Sequence, residues 1–330
     1  MHEQVAGPNE QVVGPNEQVV GPNEPAVNLE RQAVRVEGRV FEVTHLDRVL
    51  WPAAGWTKAD LIHYLMQVAP VMLPHLRERP LTVVRCPDGV EGQCFYQKNR
   101  PPHLPDWIPT HRSDEGPDGT EYVLAHEPAT LVWLANQNAV EFHPWLAPCT
   151  APDFPAATVI DLDPMPPTGF AEARQVAFWV KELLDALGLF SVPKLSGASG
   201  VHIYVPLDGR TPFARSRDFA RWVAAAIAHL YPEHATDIRS VKERGPRVYV
   251  DPLQNLPHKT IAAPYSPRAL PHGAVSMPVT WDELARVETA AFTLKSAPER
   301  VRQRGDPFRP VLEVRQSIPD PARLPRPERV

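Results

Sequence analysis

The sequence predicts an α+β protein built on largely antiparallel sheets flanked by helices. Three observations lead there. Hydrophobic residues make up 43% of the 330 and charged residues 22%, the balance of a chain that can bury a core. Short apolar runs of strand length alternate with longer stretches of helical period, and few of them form the long strand–helix–strand repeats of a parallel sheet. The 40 prolines, more than twice the usual share of about 5%, gather at the ends and in connections, which predicts stiff loops around a compact centre.

The elements follow in order. GPNE recurs at Gly7–Glu10, Gly14–Glu17 and Gly21–Glu24. Its seven-residue spacing fits a coiled coil, but a Gly-Pro in each copy breaks a helix, so residues 1–30 are expected to be a disordered tail. Val34–Val43 reads as a hairpin. Thr57 caps a helix running to about Leu76, with Leu61, Ile62, Leu65, Val68, Met72 and Leu73 as its apolar stripe. Leu81–Arg85 reads as a strand, Glu127–Gln137 as a helix and Ala139–His143 as a strand, closing a first part at about residue 150. A second part, about 151–290, opens with a strand at Thr158–Asp163. A long helix follows, burying Ala173, Val176, Ala177, Val180, Leu183, Leu184 and Leu187. Val201–Leu207 is then a strand, Ala214–Leu230 a helix, and Arg247–Asp251 and Thr260–Ala263 strands. Residues 317–330, rich in proline and arginine, are expected to be extended.

A net charge of −5 argues against bulk coating of nucleic acid but leaves room for a local basic groove. No run of 18 apolar residues and no charged-then-apolar N-terminus occurs, so neither a membrane span nor a secretory signal is expected. Cys86, Cys94 and Cys149 lack CxxC spacing, so neither a disulfide framework nor a zinc ribbon is expected, and a reduced cytoplasmic compartment is the default.

The sharpest chemistry is carboxylate chemistry. Val159-Ile160-Asp161-Leu162-Asp163-Pro164 is an apolar strand ending in two acids one residue apart. Side chains alternate faces along a strand, so Asp161 and Asp163 point the same way and repel unless protons or cations intervene. Alone, such a pair is equally well the end of an exposed strand. Arg247-Val248-Tyr249-Val250-Asp251-Pro252 repeats the design, however, and three acids on two strand ends suit a pair of Mg²⁺ or Mn²⁺ ions. Lys194-Leu195-Ser196-Gly197-Ala198-Ser199-Gly200-Val201-His202 is a glycine-bearing turn able to approach an anion, although a tight hairpin explains its glycines equally well. His143 ends another apolar strand, a place where histidines are more often structural. Arg244, Gln254, Lys259 and Arg268 surround Asp251 in sequence, as a plain cationic surface or as a grip on a triphosphate.

With these segments in hand, the chain resembles the polymerase domain of bacterial non-homologous end-joining ligase D, within the archaeo-eukaryotic primase superfamily. The resemblance runs from about Val40 to Leu284 through LDRVLWP, GWTKADL, FYQKN, EFHPW, IDLDP, KLSGASGVHIYVPL, VYVDPLQN and KTIAAPYSPRA in order. It implies a primase-like catalytic core. Asp161, Asp163 and Asp251 would be catalytic metal ligands for two Mn²⁺ or Mg²⁺ ions. His143, Ser196, His202, Arg244, Gln254 and Arg268 would line the incoming NTP or dNTP. Lys58, with Arg48 where lysine is usual, would capture the 5′-phosphate of gapped or broken DNA. Phe95 and Tyr96 would stack on template bases beside Arg85 and Lys98; core packing is their bland alternative, although neighbours on a strand face opposite ways and one should be exposed.

Such enzymes are template-dependent, tend to prefer ribonucleotides and manganese, and fill gaps in double-strand-break repair. The resemblance implies a cytoplasmic, nucleoid-associated protein. The length leaves no room for a ligase or phosphoesterase domain, so Ku and a separate DNA ligase are the expected partners. Departures are Ser199 where the turn often has lysine, Pro252 where an aromatic residue is common, Leu256-Pro257-His258 in place of a glycine-bearing turn, and Tyr96 for phenylalanine. Two other readings stay open: a catalytically weak module that binds and aligns 5′-phosphorylated ends, and a two-metal phosphoesterase using His143 and His202.

Overall fold

A computed structural model describes residues 30–325 apart from 115, 117, 289 and 290, so the GPNE repeats lie outside the described residues. The chain enters through the expected hairpin, β1 (Arg31–Val36) against β2 (Arg39–Thr44), then a small pair, β3 (Val49–Trp51) and β4 (Trp56–Thr57). Helix α1 (Lys58–Leu76) starts at its cap. The Thr57 hydroxyl accepts from the Asp60 amide while the Asp60 carboxylate accepts from the Thr57 amide. Leu61, Leu65, Val68 and Met72 of the expected stripe are buried, together with Tyr64, Ala69 and Leu76, whereas Ile62 and Leu73 lie at its margin.

The first sheet holds β5 (Leu81–Arg85), β6 (Phe95–Gln97), β7 (Thr110–Ser113), β8 (Thr120–Val123) and, after helix α2 (Pro128–Asn136), β9 (Ala139–Pro144). Strand β5 pairs antiparallel with β6, β8 and β9. The second sheet runs β11 (Val192–Leu195), β12 (Val201–Pro206), β10 (Ala157–Pro164), β14 (Val248–Asp251), β13 (Ala235–Thr236), antiparallel except for the short β13–β14 pair. Helices α3 (Phe170–Ala186) and α4 (Phe213–Leu230) pack on β10. Ala173, Val176, Ala177, Val180 and Leu184 of α3 are buried as the spacing predicts; Leu183 and Leu187 are half-buried. One apolar cluster runs through both sheets, from Leu81 and Phe142 to Ile160 and Val250, so the two parts share a core.

Three expectations need correction or refinement. Thr260–Ala263 forms no strand: Thr260 makes a single bridge to Trp145, and Ala263 donates its amide to the Phe142 carbonyl. Pro257 and Pro264 flank the segment and withhold the donors a ladder needs. Cys86 and Cys94 are joined in a disulfide, because Arg85 pairs with Phe95 and the next residues outward fall opposite each other. Of the expected extended C-terminal segment, residues 317–325 are described; they dock on the core and include a short 3-10 turn at Pro321–Arg323, while 326–330 lie outside the described residues. Ile318 is buried and its carbonyl accepts from Arg215, while Ser317 donates to Asp208.

Candidate active site

Pairing across the second sheet brings the acids together. Asp161 lies opposite Asp251 on one side and opposite His202 on the other, and His202 lies opposite Lys194. Each of Asp161, Asp163 and Asp251 offers a carboxylate oxygen within 4.8 Å of the others. Asp161 is buried, Asp251 half-buried and Asp163 exposed, so the cluster opens outward from the sheet. Burial, then the charges of Asp163 and Asp251, push the Asp161 carboxyl well above the usual carboxylate range; burial and Asp251 push Asp163 the same way. Gln254 donates to Asp161 Oδ2 at 3.2 Å. Asp161 Oδ1 lies 3.4 Å from His202 Nε2 and, among the described residues, is buried without a hydrogen-bond partner. A buried, unpartnered carboxylate oxygen among three mutually repelling acids fits divalent cations of the Mg²⁺ or Mn²⁺ class.

The turn between β11 and β12 faces this cluster. The Ser196 hydroxyl oxygen accepts from the amides of Ala198 and Gly200 at 3.1 and 3.0 Å. A Cβ on Gly200 would stand 2.5 Å from the Leu162 carbonyl, between the two acids of β10, so only glycine allows the turn so close. Gly197, at φ +78°, lies under Arg268, whose Cγ would be 2.6 Å from an added Cβ. Lys194 is fully buried, with its Nζ 2.8 Å from His202 Nδ1 and donating to Ser276.

The opposite wall comes from the first sheet. Glu141 and His143 share a face of β9, and His143 Nε2 donates to Glu141 Oε2 at 2.7 Å. Arg268 Nε lies 3.1 Å from the same carboxylate oxygen, and the guanidinium donates to the Ser196 carbonyl. Burial opposes the charge of Glu141, yet His143, Arg268 and the Ala269 amide together hold its carboxyl down at about 2. Burial also lowers the His143 imidazole, against the pull of Glu141. Tyr96, His143, Asp161, Asp163, Ser196, His202, Gln254 and Arg268 thus line one cleft, with about 630 Å³ of free space counting that open to solvent.

Not every expected residue joins it. Arg244 lies outside the lining, its guanidinium stacked 3.8 Å over the Tyr249 ring and donating to the Ile238 and Arg239 carbonyls. Arg85, Phe95, Tyr96 and Lys98 line a shallow surface that shares Tyr96 with the cleft. Both aromatic residues are exposed, Phe95 at 42% and Tyr96 at 66%, where strand alternation predicts one. Strand β6 is a three-residue sheet edge with little covering either face. Arg85 sits over the Phe95 ring at 5.7 Å, and Tyr96 stands edge-on to His143 at 5.6 Å. Lys58 is 2% exposed, its ammonium donating to the Thr44 and Asn136 carbonyls at 2.9 and 3.0 Å. Burial first, then the charges of Arg48 and Arg85, lower it to about 8. Arg48 donates to the Pro87 carbonyl and Arg85 to the Gln137 carbonyl, so these three cations are held by neutral oxygens. Sequence reasoning missed Glu141 and Lys194. The alternation that paired Asp161 with Asp163 also pairs Glu141 with His143 and was the available signal.

Comparison with known proteins gives the family of the chain. The family model described as the primase-polymerase domain of LigD matches residues 57–308. The bifunctional non-homologous end joining protein LigD of Bacillus subtilis is 36% identical over 270 residues, covering 81% of this chain and 43% of that protein. The multifunctional LigD of Mycolicibacterium smegmatis is 32% identical over 300 residues, covering 86% of this chain and 39% of that protein. The chain therefore spans less than half the length of these relatives. Among solved structures, the polymerase domain of Mycobacterium tuberculosis ligase D, in complex with DNA, matches with a TM-score of 0.78 and 31% identity, covering 85% of this chain and all of that one. The chain belongs to the LigD primase-polymerase domain family.

Proposed function

We propose that this protein is a template-dependent nucleotidyl transferase that fills gaps and extends ends in DNA during double-strand-break repair by non-homologous end joining. One observation carries the proposal: three carboxylates from two strand ends lie within 4.8 Å of one another, and two of them, Asp161 and Asp163, line a cleft walled by His143, Ser196, His202 and Arg268. Asp161, Asp163 and Asp251 would hold the divalent ions, which when bound lower the pKa of an attacking hydroxyl and neutralise phosphate charge. The protein's own groups do the rest. Arg268 and the Ser196 turn offer donors to a triphosphate, the histidines shape the wall beside it, and Arg244 guards the outer side of the acids. Phe95 and Tyr96 present rings on which template bases stack, with Arg85 and Lys98 beside them for the backbone. Arg48, Lys58 and Arg85 gather three cations away from any acid of the cleft, a place for a 5′-phosphate at the far side of a gap.

Manganese as the preferred ion, ribonucleotides as the preferred substrates, and Ku and a DNA ligase as partners belong to the same proposal. So does a place with the nucleoid in the cytoplasm; among the described residues no helix is long and apolar enough to cross a membrane. The test is primer extension on gapped DNA with and without a 5′-phosphate, comparing rNTP with dNTP and Mn²⁺ with Mg²⁺. Extension favoured by the 5′-phosphate is expected. Tight end binding without extension would make the protein an alignment module, and hydrolysis without addition would make it a phosphoesterase.

A further inference from the structure

Glu141 lies behind the cleft lining and joins two of its residues, His143 on its own strand and Arg268 on the distant Arg268–Ala269 segment. Its Oε2 accepts from His143 Nε2 at 2.7 Å and lies 3.1 Å from Arg268 Nε. Its Oε1 accepts from the Ala269 amide at 2.7 Å. The side chain is 7% exposed, so water cannot stand in for these partners. Arg268 is held from its other side by the Ser196 carbonyl and lies across Gly197.

We propose that Glu141 is the positioning residue of the nucleotide wall, a single buried carboxylate that fixes the His143 ring and the Arg268 guanidinium against the Ser196 turn. The assignment rests on reading the cleft as a nucleotide site and adds how that site is kept in shape. A carboxylate only accepts hydrogen bonds. The His143 nitrogen facing it must therefore carry a proton, and Nδ1 is left as the one ring nitrogen available to a bound nucleotide. Arg268 is likewise kept from swinging out of the cleft or onto Asp161 and Asp163, where it would compete with a cation.

Two measurements on the full chain test this. In ¹⁵N-histidine spectra of the wild-type protein, His143 should carry its proton on Nε2. A neutral ring protonated on Nδ1 would overturn the proposal whatever any variant does. Glu141→Gln keeps the shape and the acceptor for the Ala269 amide but turns an N–H₂ toward His143. It should move the His143 proton to Nδ1 and raise the KM for the incoming nucleotide about tenfold or more, with kcat within about threefold. Affinity for a 5′-phosphorylated gapped duplex should not change. An unchanged KM, or equal losses of KM, kcat and gap affinity that follow a loss of folded protein, would make Glu141 a fold prop and overturn the proposal. Were the wild type to add no nucleotide at all, the polymerase reading would fail by itself, and the His143 spectrum would still decide the role of Glu141.

Discussion

Asp161 stands directly opposite Asp251 across the antiparallel β10–β14 pair, although α3, β11, β12 and α4 intervene in the chain. Two acids face to face in a ladder are unfavourable on their own, and Asp163 adds a third charge on the same face of β10. The sheet therefore carries a built-in repulsion that a divalent cation would relieve.

This repulsion is measurable without catalysis. Asp161→Asn should raise the melting temperature of the metal-free protein by about 2–4 °C, the effect of roughly 1 kcal/mol of relieved repulsion. Manganese should raise the melting temperature of the wild type, by about 2.7 kcal/mol of stabilisation at a hundredfold excess over Kd. The same titration should leave Asp161→Asn unmoved. Differential scanning calorimetry with increasing Mn²⁺ checks both; a variant that still responds to manganese would mean the ion binds elsewhere.

Lys58 gives the proposed 5′-phosphate site a pH dependence. Burial and the neighbouring Arg48 and Arg85 lower its ammonium to about 8. The charged form is then present below that value and lost as pH rises through it. The preference for a phosphorylated over an unphosphorylated gap should fall between about pH 7.5 and 9.5 in the wild type, a window that reaches upward because the bound phosphate favours the charged lysine. Lys58→Ala should remove about tenfold of affinity on the phosphorylated gap alone. Fluorescence anisotropy across pH measures both, and a flat wild-type profile would remove Lys58 from the site.

Gly200 ties the turn to the acids. Gly200→Ala places a Cβ 2.5 Å from the Leu162 carbonyl, so either the turn lifts or β10 shifts. The expected cost is about 1–3 kcal/mol of stability, with a weaker manganese response because Asp161 and Asp163 flank Leu162. Chemical denaturation with and without manganese reads both effects. Wild-type values for both would show that the strand accommodates the methyl group.

The sequence made some of this legible and hid the rest for physical reasons. The Thr57 cap, the α1 stripe and the Asp-x-Asp strand end are local patterns, set by residues a few positions apart through capping, helical period and strand alternation. The meeting of Asp251 with Asp161 depends on register between distant strands, so the sequence supplied only two similar strand ends and the sheet supplied the contact. Lys194 and Glu141 escaped because a buried charge is recognised by its partners, His202 and Ser276 for one and His143, Arg268 and Ala269 for the other. The Cys86–Cys94 bridge was hidden by the same kind of pairing. Arg244 shows the converse: it neighbours the acids in sequence, yet an aromatic face and two backbone carbonyls hold it outside the cleft lining.

The most direct test is nucleotide addition to gapped, 5′-phosphorylated DNA by Asp251→Asn, the change that removes the one charge brought to the cluster from a second strand. The expected result is addition lost by at least about a hundredfold while gap binding stays within about twofold of wild type. Addition at the wild-type rate would show that the three carboxylates do not work together and would contradict the assignment of the cleft.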